Sequence, residues 1–205
     1  MGRHRIRQQR GAAGRGARGL ESRPLNAPLP AAGDWSLAAH QVLSRHGFSV
    51  VGYVPDGGQK RMIELCQADA RMRTVVMTTE EEGVGLATGA WLGGAKTVLL
   101  MQSSGVGNII NALGMLRECR IPALILVTMR GEYGEFNPWQ VPMGQATPDV
   151  LRAMGVTVQH ADSAAEVAEQ VDAAARLALG SYQCAAVLIS QRVIGIKSFQ
   201  DQTAR

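Results

Sequence analysis

"MTTEEEGVGLATGAWLGGAKTVLLMQSSGVGNIINAL", Met77 to Leu113, decides how this chain reads. Glu80, Glu81 and Glu82 stand in a row and run straight into Gly, Val, Leu and Ala. Carboxylates favour water and the residues after them favour a core. One of the three is therefore a candidate to be carried inward. "RTVVMT" before this stretch and "KTVLLMQ" within it read as strands, with a helix from Glu80 to about Gly93 between them.

The alternation extends in both directions. "DWSLAAHQVLSRHG" reads as a helix that Asp34 caps and Gly47 ends. "FSVVGYV" reads as a strand broken by Pro55-Asp56-Gly57-Gly58, and a helix follows to about Ala70. After "KTVLLMQ" come a Ser/Gly turn, a helix to about Cys119 and the strand "PALILVTM". Residues 130–146 read as a long irregular loop. A short helix near Pro148–Met154, strand "VTVQH", a helix over 163–179 and strand "CAAVLIS" complete the set. Short continuous Val/Ile/Leu strands alternating with helices predict an α/β fold, a Rossmann-like parallel sheet sandwiched by helices. Ligands in such sheets bind at the carboxyl ends of the strands. The loops at 55–58, 78–82, 102–108 and 130–146 all leave those ends.

The 205 residues, 46% of them hydrophobic, suffice for one core. The net charge of +4 belongs to the N-terminus, where residues 1–30 hold seven Arg against Glu21 alone. Residues 31–205 carry 14 basic and 16 acidic side chains. The expected organisation is a disordered basic tail over 1–32, one domain over 33–195 and a C-terminal tail over 196–205. Three readings of the basic tail stand open: a dispensable extension, an electrostatic tether to nucleic acid or acidic lipid, and a transit peptide. The domain itself is mildly acidic, so nucleic acid is not its expected partner. No apolar run reaches membrane-spanning length, and a cytoplasmic protein is expected. Cys66, Cys119 and Cys184 form no CxxC pair and read as buried reduced thiols.

Several chemistries are excluded by pattern. Gly105-x-Gly107 has Ile110 where a dinucleotide fingerprint needs Gly, and Gly83-x-Gly85 meets its third Gly one residue late. No P-loop, HExxH or G-x-S-x-G occurs. His40 and His46 read as packed or solvated helix residues rather than metal ligands, and no metal site is expected in this chain. Glu81 and Glu82 have a plain role at a helix start, where negative charge complements the dipole. Glu80 differs: it leads a helix reading Gly83, Gly85, Ala87, Gly89 and Ala90. So many small residues let another backbone or a flat cofactor come close. A carboxyl desolvated there could share a proton with a buried nitrogen base.

Glu80 followed nine residues later by Gly89 resembles the pyrimidine-binding domain of thiamine-diphosphate enzymes. "EEEGVGLATGAWLGGAK", "LMQSSGVGNIINAL" and "QVPMGQAT" are similar to the alpha subunits of sulfopyruvate decarboxylase and to phosphonopyruvate decarboxylases, over about Gly47 to Ser190. The resemblance implies that Glu80 hydrogen-bonds N1′ of the aminopyrimidine and that a 2-oxo acid loses carbon dioxide. It implies that Pro55, Asp56 and Gly57 form the first active-site loop, with Asp56 facing substrate or handling protons. Ser104, Gly105 and Asn108 would line the pyrimidine pocket, and Asn111 and Gln140 would approach the substrate. Arg130 is a candidate cation for a sulfonate; Trp139 and Met143 read as loop anchors. Each also has a plain reading: Asn108 as a helix cap, Asp56 as a turn residue, Gln140 as a solvated loop residue.

The Gly-Asp-Gly that marks the diphosphate- and Mg²⁺-binding half of such enzymes does not occur; Gly33-Asp34 is the one Gly-Asp pair. The resemblance therefore implies a separate beta subunit that supplies that half and holds most of the Mg²⁺, with homodimerisation in an α2β2 or larger complex. The apolar face around Gly83–Trp91 would be the contact surface. A phosphonopyruvate decarboxylase subunit remains the alternative within this chemistry. A non-catalytic dinucleotide-binding or regulatory subunit is the alternative outside it.

Overall fold

The computed structural model describes residues 33–196. The tail assigned to 1–32, and all but the first residue of the segment 196–205, lie outside the described residues. The chain begins with α1 (Trp35–His46), whose Asp34 side chain accepts from the Leu37 amide at 3.1 Å. Gly47, at φ +74°, ends it by donating to the Leu43 and Ser44 carbonyls. There follow β1 (Phe48–Tyr53), a 3-10 turn at Gly57–Gln59, α2 (Lys60–Ala68), β2 (Arg73–Val76), α3 (Glu80–Leu92) and β3 (Lys96–Gln102). Next come α4 (Ser103–Ile109), α5 (Leu113–Glu118), β4 (Ala123–Thr128), a 3-10 turn at Pro138–Gln140 and α6 (Val141–Ala153). β5 (Thr157–Ala161), α7 (Ala164–Ser181), β6 (Cys184–Ile189) and α8 (Gln191–Ile194) close the chain.

The six strands form one parallel sheet in the order β2-β1-β3-β4-β6-β5, so the α/β expectation holds. Successive side chains point to opposite faces. Leu100, Leu126 and Val187 therefore join α1, α2 and α7 in one core layer, while Leu99, Ile125 and Ala186 join α3 to α6 in the other. Both faces of β3, β4 and β6 are covered, which is why those strands read as unbroken apolar runs. β2, at the edge, is not: Val76 is 63% exposed. No helix among the described residues is long and apolar enough to cross a membrane.

Three expectations need correction. Ser103–Asn108 is not a turn; β3 runs directly into α4, and the break falls later, at residues 110–112. Residues 130–146 are not one loop. The irregular part ends near Asn137, whose side chain accepts from the Trp139 amide at 3.1 Å, and α6 starts at Val141. Pro142 sits in the first turn of α6, where its missing N–H has no helical partner to lose. Pro148 stands inside the helix and leaves the Gly144 carbonyl without its amide. Gly144 is required by contact: a Cβ there would stand against the Arg130 carbonyl. Finally, Cys66 and Cys184 are buried thiols, each pushed up to about 12 by desolvation, but Cys119 is exposed.

Candidate active site

Strand β1 is followed by β2 on one side and by β3 on the other. That reversal puts a topological switch point at the carboxyl ends of β1 and β3, the usual ligand position in an open α/β sheet. Two polar clusters stand at this end of the sheet.

The first is built on Glu80. It is the first residue of α3 and only 8% exposed. Its Oε2 accepts from Asn108 Nδ2 at 2.8 Å. Its Oε1 occupies the space a Cβ on Gly105 would need, since that Cβ would lie within van der Waals overlap of the carboxyl group. Gly105 is thus in α4 because a carboxylate packs against its backbone. The neighbouring acids do other work. Glu82 turns back to accept from the Thr78 amide at 3.0 Å, and Glu81 is exposed. One carboxylate of the three enters the core; the other two serve the helix start and the solvent.

The small residues of α3 divide between its faces. Gly83, Val84 and Ala87 are buried toward the sheet. Gly85 and Gly89 have open space where a Cβ would stand, and Leu92 is 79% exposed. Nine residues at 100° each turn Gly89 roughly 180° away from Glu80. The open glycines therefore suit another backbone rather than a group lying on Glu80. The uncovered surface is thus Gly85, Gly89 and Leu92 rather than the whole of Gly83–Trp91, and Trp91 packs edge-on against Tyr182 at 6.0 Å.

The second cluster surrounds Asp56, just beyond β1. Gln102 Nε2 donates to Asp56 Oδ1 at 3.0 Å, and Thr128 Oγ1 donates to Oδ2 at 2.8 Å. Ser104 Oγ donates to Gln102 Oε1 at 2.9 Å. Ser104 and Gly105 are consecutive, so α4 joins the two clusters. Pro55 and Gly57 are exposed on either side of Asp56. Gln102, Thr128 and Gln59 were not anticipated. Two of them share a sequence signal: each is a polar residue closing an otherwise apolar strand, in "KTVLLMQ" and "ALILVT".

Asn111 is exposed in the break between α4 and α5. Gln140 lies in the second 3-10 turn, its Oε1 buried and without a partner among the described residues. No described hydrogen bond joins either residue to the two clusters. Met143 packs on α4, its Sδ 3.3 Å from where a Gly107 Cβ would be, as a loop anchor should. Trp139 does not anchor anything; it is 87% exposed and lines an open apolar cleft with Pro138, Pro142 and Met143. His40 and His46 pair with Asp69 at 3.2 Å and Asp172 at 2.7 Å, in packing roles. Among the described residues no three His, Cys, Asp or Glu gather as metal ligands.

Arg130 is not a waiting cation. It is 6% exposed and forms a two-pronged pair with Glu135, at 2.6 Å and 2.5 Å. Glu135 also accepts from the Gly131 and Asn137 amides and from Gln191 Nε2. The Arg130 hydrogen bonds, more than any other interaction, pull the Glu135 carboxyl down to about 2. A lowered folded value means its contribution to stability is full above the ordinary 4.5 and is lost as pH falls toward about 2. Glu135→Gln leaves Arg130 buried without its counter-charge, and about 3 kcal/mol of stability is the expected loss at neutral pH. Thermal melts of both proteins from pH 7 to pH 2.5 check this, because the gap between them should close with acid.

No family model matches the chain. The sulfopyruvate decarboxylase subunit alpha of Methanothermobacter thermautotrophicus is 36% identical over 157 residues, spanning 76% of this chain and 95% of that one. The chain belongs to the sulfopyruvate decarboxylase alpha-subunit family. A phosphonopyruvate decarboxylase of Streptomyces viridochromogenes is 37% identical over 107 residues, spanning 51% of this chain and 27% of its own. Family membership thus rests on a match that spans nearly the whole of that alpha subunit, against partial correspondence with the longer relative. The 2-oxoglutarate:ferredoxin oxidoreductase from Magnetococcus marinus superposes with a TM-score of 0.61 at 12% identity, over 79% of this chain and 29% of that one. At that identity it speaks for the parallel-sheet fold alone.

Proposed function

We propose that this chain is the alpha subunit of a thiamine-diphosphate-dependent decarboxylase that converts sulfopyruvate to sulfoacetaldehyde and carbon dioxide. The observation that carries the reading is the buried Glu80 carboxylate lodged between Gly105 and Asn108 of α4. In this reading residues 33–195 are the pyrimidine-binding domain. The residues present suit an aminopyrimidine, because a desolvated carboxylate with one amide donor can hold a proton against a ring nitrogen. Thiamine diphosphate, when bound, supplies the nucleophilic carbon that bonds the keto carbon and accepts the electron pair as carbon dioxide leaves.

Glu80 holds the proton shared with N1′. Asn108 fixes the orientation of that carboxylate, and Gly105 leaves room for it. Asp56, with Pro55 and Gly57 about it, faces the substrate and handles the proton that replaces the lost carboxylate on carbon. Ser104 lines the site between the two. Asn111 and Gln140 are the substrate-facing residues of the neighbouring segments. The buried, unpartnered Oε1 of Gln140 is consistent with an acceptor kept for a ligand or partner group.

The relative's description as a subunit alpha supports a beta subunit that brings the diphosphate site and its Mg²⁺. The open Gly85 and Gly89 face of α3 supports close contact with another chain, in an α2β2 or larger cytoplasmic complex. Phosphonopyruvate is the rival substrate, and its decarboxylases match a smaller part of the chain. Carbon dioxide release by the chain co-purified with its beta subunit decides between them. The kcat/KM for sulfopyruvate should exceed those for phosphonopyruvate and pyruvate by at least about tenfold; the reverse order gives the chain to phosphonopyruvate.

A further inference from the structure

Asp56 stands on a turn that would not by itself hold a side chain still. Gly57 and Gly58 follow it, and both have wide backbone freedom. The strands supply what the turn lacks. Gln59, 1% exposed, donates Nε2 to the Met101 carbonyl at 3.0 Å and to the Leu126 carbonyl at 2.8 Å. The far end of the turn is thereby tied to β3 and β4. Thr128, the fully buried last residue of β4, has Oγ1 2.8 Å from Asp56 Oδ2 and 3.4 Å from the Met101 carbonyl. A hydroxyl carries one proton. Gln59 already donates to Met101, and the contact with the carboxylate is the shorter, so the Thr128 proton goes to Asp56.

Gln102 holds the other oxygen from β3, and Ser104 keeps its amide the right way round by donating to Oε1. Gly58 closes the fit: a Cβ there would stand 2.9 Å from Asp56 Oδ2 and 3.4 Å from the Thr128 Cβ. Each carboxylate oxygen is thus held from a different strand.

We propose that Thr128 is a positioning residue of this site: its hydroxyl, together with Gln102, fixes the Asp56 carboxylate where it meets the substrate. The inference rests on the role given to Asp56 in the reaction above. Thr128 touches neither substrate nor cofactor in this account; it acts through Asp56, by holding a reacting group within the narrow geometry that proton transfer needs.

The test uses the chain assembled with its beta subunit. Thr128→Val keeps the shape and removes the hydroxyl; Thr128→Ser keeps the hydroxyl. The expected kcat of Thr128→Val is about tenfold below wild type, with KM for sulfopyruvate changed less than about twofold. Thr128→Ser recovers to within about threefold of wild type. In an Asp56→Ala background, Thr128→Val then costs less than about twofold more, because the group it acts through is gone. A full further loss in that background, or a Ser variant as slow as the Val variant, overturns the proposal. A crystal structure of the Thr128→Val complex gives a readout independent of turnover. Asp56 should leave its place beside Gln102, and an unmoved carboxylate also overturns the proposal. If the wild-type complex decarboxylates no 2-oxo acid, the proposed function falls, and that structure still decides whether Thr128 holds Asp56.

Discussion

Glu80→Gln is expected to lower kcat of the assembled decarboxylase by about 10²- to 10⁴-fold, the range general acid–base groups contribute. The substitution is close to isosteric. A glutamine carbonyl oxygen can still accept from Asn108 Nδ2, and the amide fills the same space against Gly105. What it cannot do is hold and return a proton. The melting temperature should therefore stay near that of wild type while turnover collapses. Parallel measurement of carbon dioxide release and thermal unfolding separates the two effects. A variant retaining more than about a third of wild-type kcat would remove Glu80 from the chemistry.

Gly105→Ala has the second largest expected effect, and it acts through the same carboxylate. The new methyl group would overlap the Glu80 carboxyl, so either Glu80 is driven out of its place or α4 moves off the sheet. α4 has little freedom to move. Its first residue, Ser103, is fully buried, and its Oγ accepts from the Arg130 amide at 3.1 Å. Glu80 is the group that yields. Turnover should fall to about the level of Glu80→Gln, with about 1–3 kcal/mol of stability lost to overpacking. The coupling is testable without turnover. In a Glu80→Ala background the overlap is gone, and Gly105→Ala should then cost less than about 0.5 kcal/mol. Equal destabilisation with and without Glu80 would mean that the glycine serves the backbone and not the carboxylate.

Much of the architecture was legible in the sequence, for a physical reason. Strands buried on both faces must be apolar throughout, so β3, β4 and β6 announce themselves. Glu80 was legible because an acid that leads a helix of glycines and alanines has no simple surface explanation. Other features depend on approach between distant segments, which no local pattern records. The glycines of "SSGVGN" suggested a turn, whereas Gly105 is small because a carboxylate 25 residues earlier packs on it. The segment 130–146 suggested a loop, but α6 starts at Val141, with Pro142 placed where a helix has no bond to lose. Arg130 suggested an anion site because its counter-charge lies in the same irregular loop, which folds back on itself. Gln102 and Thr128 were visible as polar strand ends, but their common target at Asp56 was not.

On the proposed function, this chain carries half of a cofactor site and a beta subunit completes it. Titration calorimetry of thiamine diphosphate, with Mg²⁺ present, tests this on the chain alone, on the beta subunit alone and on the two together. Saturable binding by the mixture, at one site per αβ pair and far stronger than by either subunit, is the predicted result. Equally tight binding by this chain alone, or no binding by the assembled pair, would contradict it.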